Sequence, residues 1–594
     1  MLDAVVLKAA GGAEVVAALI DAGAQRGEPV GVAQGLGLGL AARDRSWTVQ
    51  AGHPGEVVAA VEAALRPRWV WWSARSVATT LVATGVRVAT CWDLAAVHRL
   101  LAGGSDDDPA VVWAVLHRLD PASVPRMGQL DLLDAGTDHR PGDGEDPVGP
   151  DGHLRAEWTD GGWSRTPQRQ ARWAALALRA QGLQAQALSR MDVGGDPIAT
   201  AYAESAAELL CVELARDGLP LDVAVAEQIL TRLAGPRPLN AAHEAELRRT
   251  RDAEVRRHLA VASTSDRFDL RNPAHIRAAL AAVGIDLPDT RSWRLEPWRA
   301  QHPLVEALLA WRKADRLTTT YGYGWLDAHV GADGRLRGAW SGSDGAAGRM
   351  TAQAGLHNLP AELRPAVVAD PGFVLVRADL GQVEPRVLAA VSDDHALAAA
   401  TLDDDLYLPV ARRLGVERPV AKIAVLAAMY GQTSGTAGQA LAGLESAYPV
   451  AMGYLRAAYE DGRAGRSVRT HGGRLVRMHP VSCAGDEQAH RSAVNGRGRF
   501  ARNAMVQGAA AELFKAWAVT VRAGLRTGPR TSGARIVLCL HDELLVHVPR
   551  EAAADVQTLL HQGLQAVSAR WAAGRRVRFV ADVSTVERWS EAKS

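Results

Sequence analysis

Two acidic stretches carry residue types that could hold a divalent cation. The run GFVLVRADL ends at Leu380, directly after Asp379, and His541-Asp542-Glu543 separates the apolar runs IVLCL and LLVHV. Such runs predict buried strands, which places each acidic group at a strand end. A carboxylate on an apolar element costs desolvation energy unless a cation is bound there. Two metal ions about 4 Å apart, bridged by carboxylates, would activate an attacking oxygen and stabilise a leaving one in phosphoryl transfer.

A third stretch, RPVAKIAVLAAMYG, could bind the anion on which such metals act. One stripe of the predicted helix, at four-residue spacing, consists of Arg418, Lys422, Leu426 and Tyr430. Two cations one turn apart repel each other and favour an anion between them, which a triphosphate supplies. Taken alone, each stretch also fits a simpler alternative: a strand-end turn, an acidic hairpin tip or an ordinary exposed basic face.

The pattern of apolar residues predicts the elements that position these side chains. Residues 1–134 alternate short apolar runs with Ala-rich helices, which predicts an α/β domain with a mixed sheet. Residues 135–164 are rich in Gly, Pro and Asp and are predicted as an irregular connection. Long helical periodicity predicts a helical lobe over 201–330 and a helical region over 383–465. Further predictions are helices over 167–190, 303–321 and 495–525, a hairpin over 331–345 and a hairpin or loop over 465–480.

Bulk composition narrows the class of protein. A length of 594 residues predicts roughly three to four domains. Neither an apolar run of about eighteen residues nor a signal-peptide pattern occurs, so we expect a cytoplasmic protein without a membrane partner. The four cysteines lie far apart without a C-x-x-C pair, which argues against a disulfide framework and a zinc site. The formal net charge is +1, but residues 1–200 are acidic and residues 201–594 mildly basic, which is compatible with a polyanionic partner for the second part.

The three stretches together resemble the motifs of family A DNA polymerases, the DNA polymerase I type. ADLGQVEPR resembles the first palm motif, RPVAKIAVLAAMYG the fingers-helix motif and LHDE the second palm motif. Two further stretches, GRMTAQAGLHNLP and RFARNAMVQGAAAEL, also match, and the resemblance covers about residues 200–594. It implies a multidomain α+β and α/β chain: an exonuclease-like (RNase H-like) α/β domain followed by a right-hand polymerase with a helical thumb, an antiparallel-sheet palm and helical fingers. The implied boundaries are 1–195 for the exonuclease-like domain, 196–330 for the thumb, 331–394 and 496–594 for the palm, and 395–495 for the fingers.

The resemblance implies a template-directed DNA polymerase that adds deoxynucleotides to a primer 3′-hydroxyl, in DNA replication or repair. Its partners would be primer–template DNA and deoxynucleoside triphosphates, and we expect a monomer. Two Mg²⁺ ions, or Mn²⁺ in their place, would be bound by Asp379 and Asp542, with Glu543 close by.

The resemblance also assigns roles to the remaining site residues. Arg418 and Lys422 would hold the triphosphate, and Lys422 is a candidate proton donor to pyrophosphate. Gln382, Leu426 and Tyr430 would line the nucleotide site, and Glu384 would block the sugar 2′-position. Contacts to the primer terminus, template or minor groove are implied for Arg349, Arg499, Asn503, Gln507 and His541.

Several positions depart from the family pattern. Leu426 stands where the family usually has an aromatic residue, which puts stacking on the nucleotide in doubt. Tyr407 stands where a phosphate-binding His is common. The other departures are Gly381, Pro385, Val425 and Ala427. None of them removes an expected metal ligand.

The first 195 residues occupy the place of the family's proofreading exonuclease but lack its acids. The matching strand, VGVAQGLGLGL, offers Ala33, Gln34 and Gly35 where Asp-x-Glu is needed, and Asp93 alone could not hold two metals. We therefore expect an inactive domain and no proofreading. Two alternatives to a DNA polymerase stay open: an RNA-making relative, against which Glu384 argues, and a catalytically inactive DNA-binding protein that retains the fold.

Overall fold

The structure is a computed structural model, and it describes residues 5–8, 11–35, 37–127, 146–259, 268–431, 437–481, 486–540 and 542–592. The chain divides into two compact units. Unit 1 comprises Met1–Asp217, Ala339–Ala352 and Pro371–Val586, and unit 2 comprises Gly218–Gly338, Gln353–Asp370 and Glu587–Ser594. Within these described ranges, every helix is too short or too polar to cross a membrane.

The N-terminal part of unit 1 is built on a mixed six-stranded sheet, as the sequence predicts. Its strands, in the spatial order β1-β4-β3-β2-β5-β6, are β1 (Val5–Lys8), β2 (Pro29–Gln34), β3 (Leu38–Ala42), β4 (Arg45–Gln50), β5 (Arg68–Trp71) and β6 (Thr90–Asp93). The helices of this part are α1 (Gly12–Asp21), α2 (Pro54–Leu65), α3 (Ala74–Ala83), α4 (Leu94–Ala102), α5 (Pro109–Leu116), α6 (Ala156–Thr159), α7 (Pro167–Ser189) and α8 (Pro197–Asp217). The β2–β3 and β3–β4 pairs are antiparallel and the others are parallel.

Helix α7 lies directly on strands β2 and β3. A Cβ atom at Gly31 would lie 2.3 Å from the carbonyl oxygen of Ala174, and one at Gly39 would lie 2.2 Å from the carbonyl carbon of Gln170. Any side chain at these glycines would therefore push α7 away from the sheet. The run VGVAQGLGLGL, taken from the sequence as one strand, is two antiparallel strands.

Unit 2 is mainly helical, as predicted for residues 201–330. Its helices are α9 (Val223–Ala234), α10 (Ala241–Arg256), α11 (Pro273–Ala282), α12 (Ser292–Leu295), α13 (Pro303–Thr320) and α14 (Tyr323–His329). A short antiparallel pair, β7 (Leu219–Pro220) and β8 (Arg335–Leu336), joins the two ends of this helical segment. Helix α8, which the sequence assigned to the thumb, packs with α3 and β6 and belongs to unit 1.

Unit 1 resumes with an antiparallel hairpin of β9 (Trp340–Asp344) and β10 (Arg349–Ala352). The prediction of a hairpin over residues 331–345 is therefore wrong in position. Residues Gly331 to Gly334 form a tight turn of their own, which the Val330–Leu336 bridge closes. The hairpin turns instead between Gly345 and Gly348, whose φ angles of +60° and +64° lie in the left-handed region that favours glycine.

The rest of unit 1 carries the two acidic stretches and the basic stretch RPVAKIAVLAAMYG. In chain order its elements are β11 (Phe373–Leu380), α15 (Val383–Ser392), α16 (His395–Ala400), α17 (Tyr407–Leu414), α18 (Arg418–Tyr430), α19 (Ala437–Ala447), α20 (Pro449–Arg463), β12 (Val468–Arg469), β13 (Leu475–Val476), α21 (Glu487–Thr527), β14 (Arg535–Leu540), β15 (Glu543–Pro549), α22 (Ala553–Trp571) and β16 (Ala581–Val586). Strands β14-β15-β11-β16 form a four-stranded antiparallel sheet. Helix α21 starts earlier than the predicted residue 495 because the Asp486 carboxylate caps its first turn.

Candidate active site

Strand pairing brings the two predicted aspartates together. In β11, Asp379 lies opposite Glu543 of β15 on one side and opposite Asp582 of β16 on the other. The next residue, Leu380, donates its backbone N–H to the carbonyl oxygen of Asp542 at 2.9 Å. Two acids that are distant in sequence are thereby held at the same end of adjacent strands.

Both aspartates have a raised pKa, as expected for neighbouring, partly buried acids. Burial raises the pKa of Asp379 above its usual value, although the charge of Arg377 opposes this. Burial also raises the pKa of Asp542 to about 6, and the negative charges of Asp379, Glu543 and Glu384 contribute to that rise. Each carboxylate thus lacks enough compensating positive charge, which is the situation that a bound cation relieves.

A buried arginine that the sequence analysis missed stands behind this pair. Arg377 donates to Asp379 Oδ2 at 2.7 Å, and its Nε lies 3.1 Å from Glu543 Oε1. Arg377 is two residues before Asp379 on β11, so both side chains face the same side of the sheet, and this alternation could have revealed it. The Glu543 carboxylate, which the sequence placed near the metal ions, is thus paired with Arg377 in this structure. Among the residues that the structure describes, no three or more acidic, histidine or cysteine side chains are grouped to hold a metal.

Helix α18 presents the predicted basic stripe. The Arg418 guanidinium forms an ion pair with Asp405 and lies over the ring of the buried Tyr407, 5.8 Å from its centroid. Burial raises the pKa of Tyr407 to about 12, so it remains a neutral phenol. Lys422 is exposed and has no ion pair with any described side chain, whereas Leu426 is partly buried against the helical core.

The C-terminal end of α18 is joined to the segment that follows Asp379. The Tyr430 hydroxyl donates to Glu384 Oε2 at 2.9 Å, and Arg349 donates to Glu384 Oε1 at 2.9 Å. Burial and the Glu384 charge raise the pKa of Tyr430, which also interacts with Gln507. Three predicted site residues from β10, α15 and α18 therefore meet in one hydrogen-bonded cluster.

The N-terminal end of α18 is tied to the same segment through Gln382. The Gln382 side chain donates to Asp405 Oδ1 at 3.2 Å and accepts from the backbone N–H of Leu406 at 2.9 Å. Its amide is thus committed to the 405–406 loop, although the sequence placed it in the nucleotide site. Buried Arg386 fixes this loop by donating to the carbonyl oxygens of Asp403 and Asp404 at 2.9 and 2.7 Å.

The predicted DNA-contacting residues of α21 form one stripe. Arg499, Asn503 and Gln507 recur every four residues, so they share a face of the helix. Arg499 packs so closely on Gly431 that a Cβ atom there would lie 2.9 Å from Arg499 Cγ. The side-chain oxygen of Asn503 is buried without a hydrogen-bond partner within the described part of the chain. His541 lies outside the described residues.

Comparisons with known proteins show which family this chain resembles. The model of the DNA polymerase family A matches residues 282–591. DNA polymerase I of Chloroflexus aurantiacus is 32% identical over 302 residues, covering 46% of this chain and 31% of that protein. The thermostable DNA polymerase I of Thermus thermophilus is 31% identical over 330 residues, covering 50% of this chain and 38% of that protein. The matched region thus spans about a third of the length of these relatives.

A solved structure agrees with the fold over nearly the whole chain. It is described as the POL domain of Pol1 from M. smegmatis in complex with DNA primer-template and dNTP, and it superposes with a TM-score of 0.63. The similarity covers 99% of this chain and 100% of that one at 21% sequence identity, a level that shows the fold alone. Because the family model matches more than half of the sequence, including both aspartates and the α18 stripe, this chain belongs to DNA polymerase family A.

Proposed function

We propose that this chain is a template-directed DNA polymerase that transfers deoxynucleotides to a primer 3′-hydroxyl. The observation that carries the proposal is the placement of Asp542 beside Asp379. The C-terminal end of α18 is bonded to the segment that follows Asp379, and its N-terminal end is linked to that segment through Asp405. The acids lie at this strand end, and the cations Arg418 and Lys422 lie on α18. Such an arrangement fits a nucleotide whose phosphates face the helix and whose α-phosphate faces the acids.

The donor set at the strand end fits Mg²⁺, or Mn²⁺ in its place. Asp379 and Asp542 supply two carboxylates whose charges disfavour each other, and hard cations prefer oxygen ligands. Mg²⁺ is commonly held by one or two carboxylates together with substrate phosphates, so it does not require the group of three metal-binding side chains that the described residues lack. Glu543 would act by keeping Arg377 in place. Bound ions would supply electrostatic stabilisation of the attacking and leaving oxygens.

The stripe on α18 would hold the triphosphate. Arg418 must exchange its Asp405 partner for a phosphate, whereas Lys422 is already accessible. An ammonium group next to the leaving pyrophosphate can neutralise its charge and donate a proton. Glu384, fixed by two hydrogen bonds, would occupy the space that a ribose 2′-hydroxyl needs. Partly buried Leu426 would give the base an aliphatic contact without an aromatic ring.

The stripe on α21 and Arg349 would contact the primer–template. Minor-groove acceptors lie in nearly the same place for every base pair, so donors there can test pair shape without reading sequence. Arg499, Asn503 and Gln507 carry such donors along one helix face, and Asn503 and Gln507 are partly buried. The sequence motif adds His541 to this group.

The N-terminal region would be an exonuclease-like domain without proofreading activity. Asp93, its nearest candidate acid, is buried and caps α4, accepting from the N–H groups of Ala74 and Ala96 at 2.6 and 2.8 Å. Burial and the Glu208 charge raise the pKa of Asp93 to about 7. Side chains at Ala33, Gln34 and Gly35 offer no carboxylate. These observations support a domain that retains the sheet and has lost the metal site.

The decisive experiment compares Asp542→Ala with Asp582→Ala in single-nucleotide primer extension. Asp542→Ala should abolish addition while primer–template binding persists. Asp582 lies opposite Asp379 on the other side and its side chain is 72% exposed, so its replacement should retain activity. Unchanged extension by Asp542→Ala would refute the assignment. A wild-type protein that binds primer–template but adds no nucleotide would instead be the inactive DNA-binding protein.

Proofreading is tested separately with the wild-type protein. A labelled primer–template incubated with Mg²⁺ and no nucleotides should keep its full length. Mg²⁺-dependent shortening from the 3′ end, lost in a preparation treated with EDTA, would show an active nuclease site in the N-terminal domain and contradict the proposal.

A further inference from the structure

Three buried charged side chains and one exposed arginine lie around the β9–β10 hairpin that carries Arg349. Lys515 of α21 is fully buried and donates to the carbonyl oxygens of Gly348 at 2.7 Å and Gly342 at 3.2 Å. Arg474, also buried, donates to the Ser343 hydroxyl at 3.0 Å. Arg75 of α3 donates to the carbonyl oxygen of Trp340 at 3.0 Å. Glu204 of α8 completes the set, and we call Arg75, Glu204, Arg474 and Lys515 the hairpin clamp.

Glu204 holds the two central cations of the hairpin clamp together. Its carboxylate forms ion pairs with Lys515 and with Arg474, and it is 1% exposed. Burial acts to raise the pKa of Glu204, but the charges of Arg474 and Lys515 outweigh it and leave that pKa lowered. Removing one member of such a buried cluster leaves uncompensated charge, so its members depend on one another.

Two glycines of the hairpin, Gly342 and Gly348, fit against their neighbours with almost no free space. A Cβ atom at Gly342 would lie 2.9 Å from Glu208 Oε1, and one at Gly348 would lie 2.3 Å from Arg474 Cζ. Gly348 also has a φ angle of +64°, which a residue with a side chain rarely adopts. The hairpin is therefore held against α8 at Gly342 and against Arg474 at Gly348. Directly after it, Arg349 reaches Glu384 at 2.9 Å.

We propose that Glu204 and Lys515 are positioning residues for nucleotide selection: the hairpin clamp fixes β9–β10 so that Arg349 holds Glu384 where it meets the sugar. The inference rests on the proposed polymerase function. It also gives the N-terminal region and α8 a role in the active site although they have no site chemistry of their own, because Arg75 and Glu204 come from them. Neither Glu204 nor Lys515 touches the substrate, and each acts through Arg349.

The test uses a ratio that does not depend on how much protein is folded. Discrimination is measured as kcat/KM for a deoxynucleotide divided by kcat/KM for the matching ribonucleotide. Lys515→Met, which leaves the carbonyls of Gly342 and Gly348 without their donor, should lower this ratio about tenfold. Glu204→Gln should lower it similarly. The matched control is Glu213→Gln, because Glu213 is also a buried acid of α8, paired with Arg522 at 2.7 Å, and it has no bond to the hairpin.

A double-mutant cycle separates positioning from general loss of structure. In an Arg349→Ala background, Lys515→Met should lower the ratio no further, because the group that it positions is gone. An equal drop in both backgrounds, or an equal drop in Glu213→Gln, would overturn the proposal.

Hydrogen exchange provides a readout that needs no catalysis. Amides of residues 340–352 should exchange faster in Lys515→Met than in Glu213→Gln. If the wild-type protein adds no nucleotide, the polymerase assignment fails while this measurement still decides whether the hairpin clamp holds the hairpin. Unchanged exchange in Lys515→Met would refute the clamp itself.

Discussion

The hydroxyl of Tyr430, the last residue of α18, donates a 2.9 Å hydrogen bond to the carboxylate of Glu384 in the first turn of α15. Arg349 takes the other carboxylate oxygen, so Glu384 is held from two sides. A side chain fixed in this way can act as a wall, because moving it would break two hydrogen bonds, one of them to a charged group. This bond also joins α18, the helix with the basic stripe, to α15, the helix that follows the strand with Asp379.

Replacing Glu384 should relax sugar discrimination. Glu384→Ala opens the space of the carboxylate and should raise ribonucleotide incorporation by about 10- to 100-fold relative to deoxynucleotide incorporation, a change of about 1.4 to 2.8 kcal/mol. Glu384→Gln keeps the volume and loses the charge, so it is the matched control for a steric role. Steady-state kinetics with both nucleotide types measure the ratio. Equal effects of Ala and Gln would show that charge, and not size, is responsible.

Lys422 should matter for the reaction and little for stability. It is exposed and has no ion pair with a described residue, so Lys422→Met should leave the melting temperature within about 1 °C. The same change should lower kcat by about 100-fold or more if the ammonium donates a proton. Lys422→Arg keeps the charge but cannot release a proton, so it should preserve KM for the nucleotide better than kcat. A kcat that Lys422→Arg leaves intact would contradict proton donation.

Freeing Arg418 should tighten nucleotide binding. In this structure Asp405 holds Arg418, and a triphosphate must compete with that carboxylate. Asp405→Asn should lower KM for the nucleotide by up to about fivefold, since a half-exposed ion pair contributes at most about 1 kcal/mol. Asp403→Asn, which removes an exposed pair with Arg412 at 3.4 Å, is the control and should have no effect. A raised KM in Asp405→Asn would contradict this prediction. It would mean that Asp405 matters more for the geometry of the 405–406 loop than as a competitor of the triphosphate for Arg418.

Stability should depend on pH through Asp542. The pKa of Asp542 is raised from 3.8 to about 6 in the folded protein, mainly by burial. Its protonated form therefore stabilises the fold below about pH 4, and that contribution is lost as the pH rises through about 6. Asp542→Asn should raise the free energy of unfolding in EDTA by about 1 to 2 kcal/mol at pH 7.5, allowing for solvent screening, and by nothing at pH 4.

Thermal melts across this pH range, with Asp582→Asn as the exposed control, check the Asp542 prediction. Mg²⁺ should reduce the difference between wild type and Asp542→Asn, because a cation offsets the cost of the carboxylate. A pH-independent gain in Asp542→Asn would show that the charge of Asp542 is not the cause.

Local pattern was enough to predict most elements near the site. The apolar run before Asp379, the two runs around Asp542 and the four-residue spacing from Arg418 to Tyr430 each appear as the expected strand or helix. Their periodicity reports which face is buried, and that is a property of neighbours in sequence. The predicted hairpin over 331–345 failed because several glycines there can turn the chain, and only packing against α8 and Arg474 selects Gly345–Gly348.

The sequence by itself therefore determined which residues could do chemistry and on what kind of element each one lies. Tertiary structure alone decided that Asp542 lies beside Asp379, that Arg377 stands behind them, that Gln382 serves the 405–406 loop and that α8 packs with unit 1. The reason is physical: strand register, ion pairing and the burial of charge depend on groups far apart in the chain. Their free energies are set by distances and solvent exclusion that local periodicity does not encode.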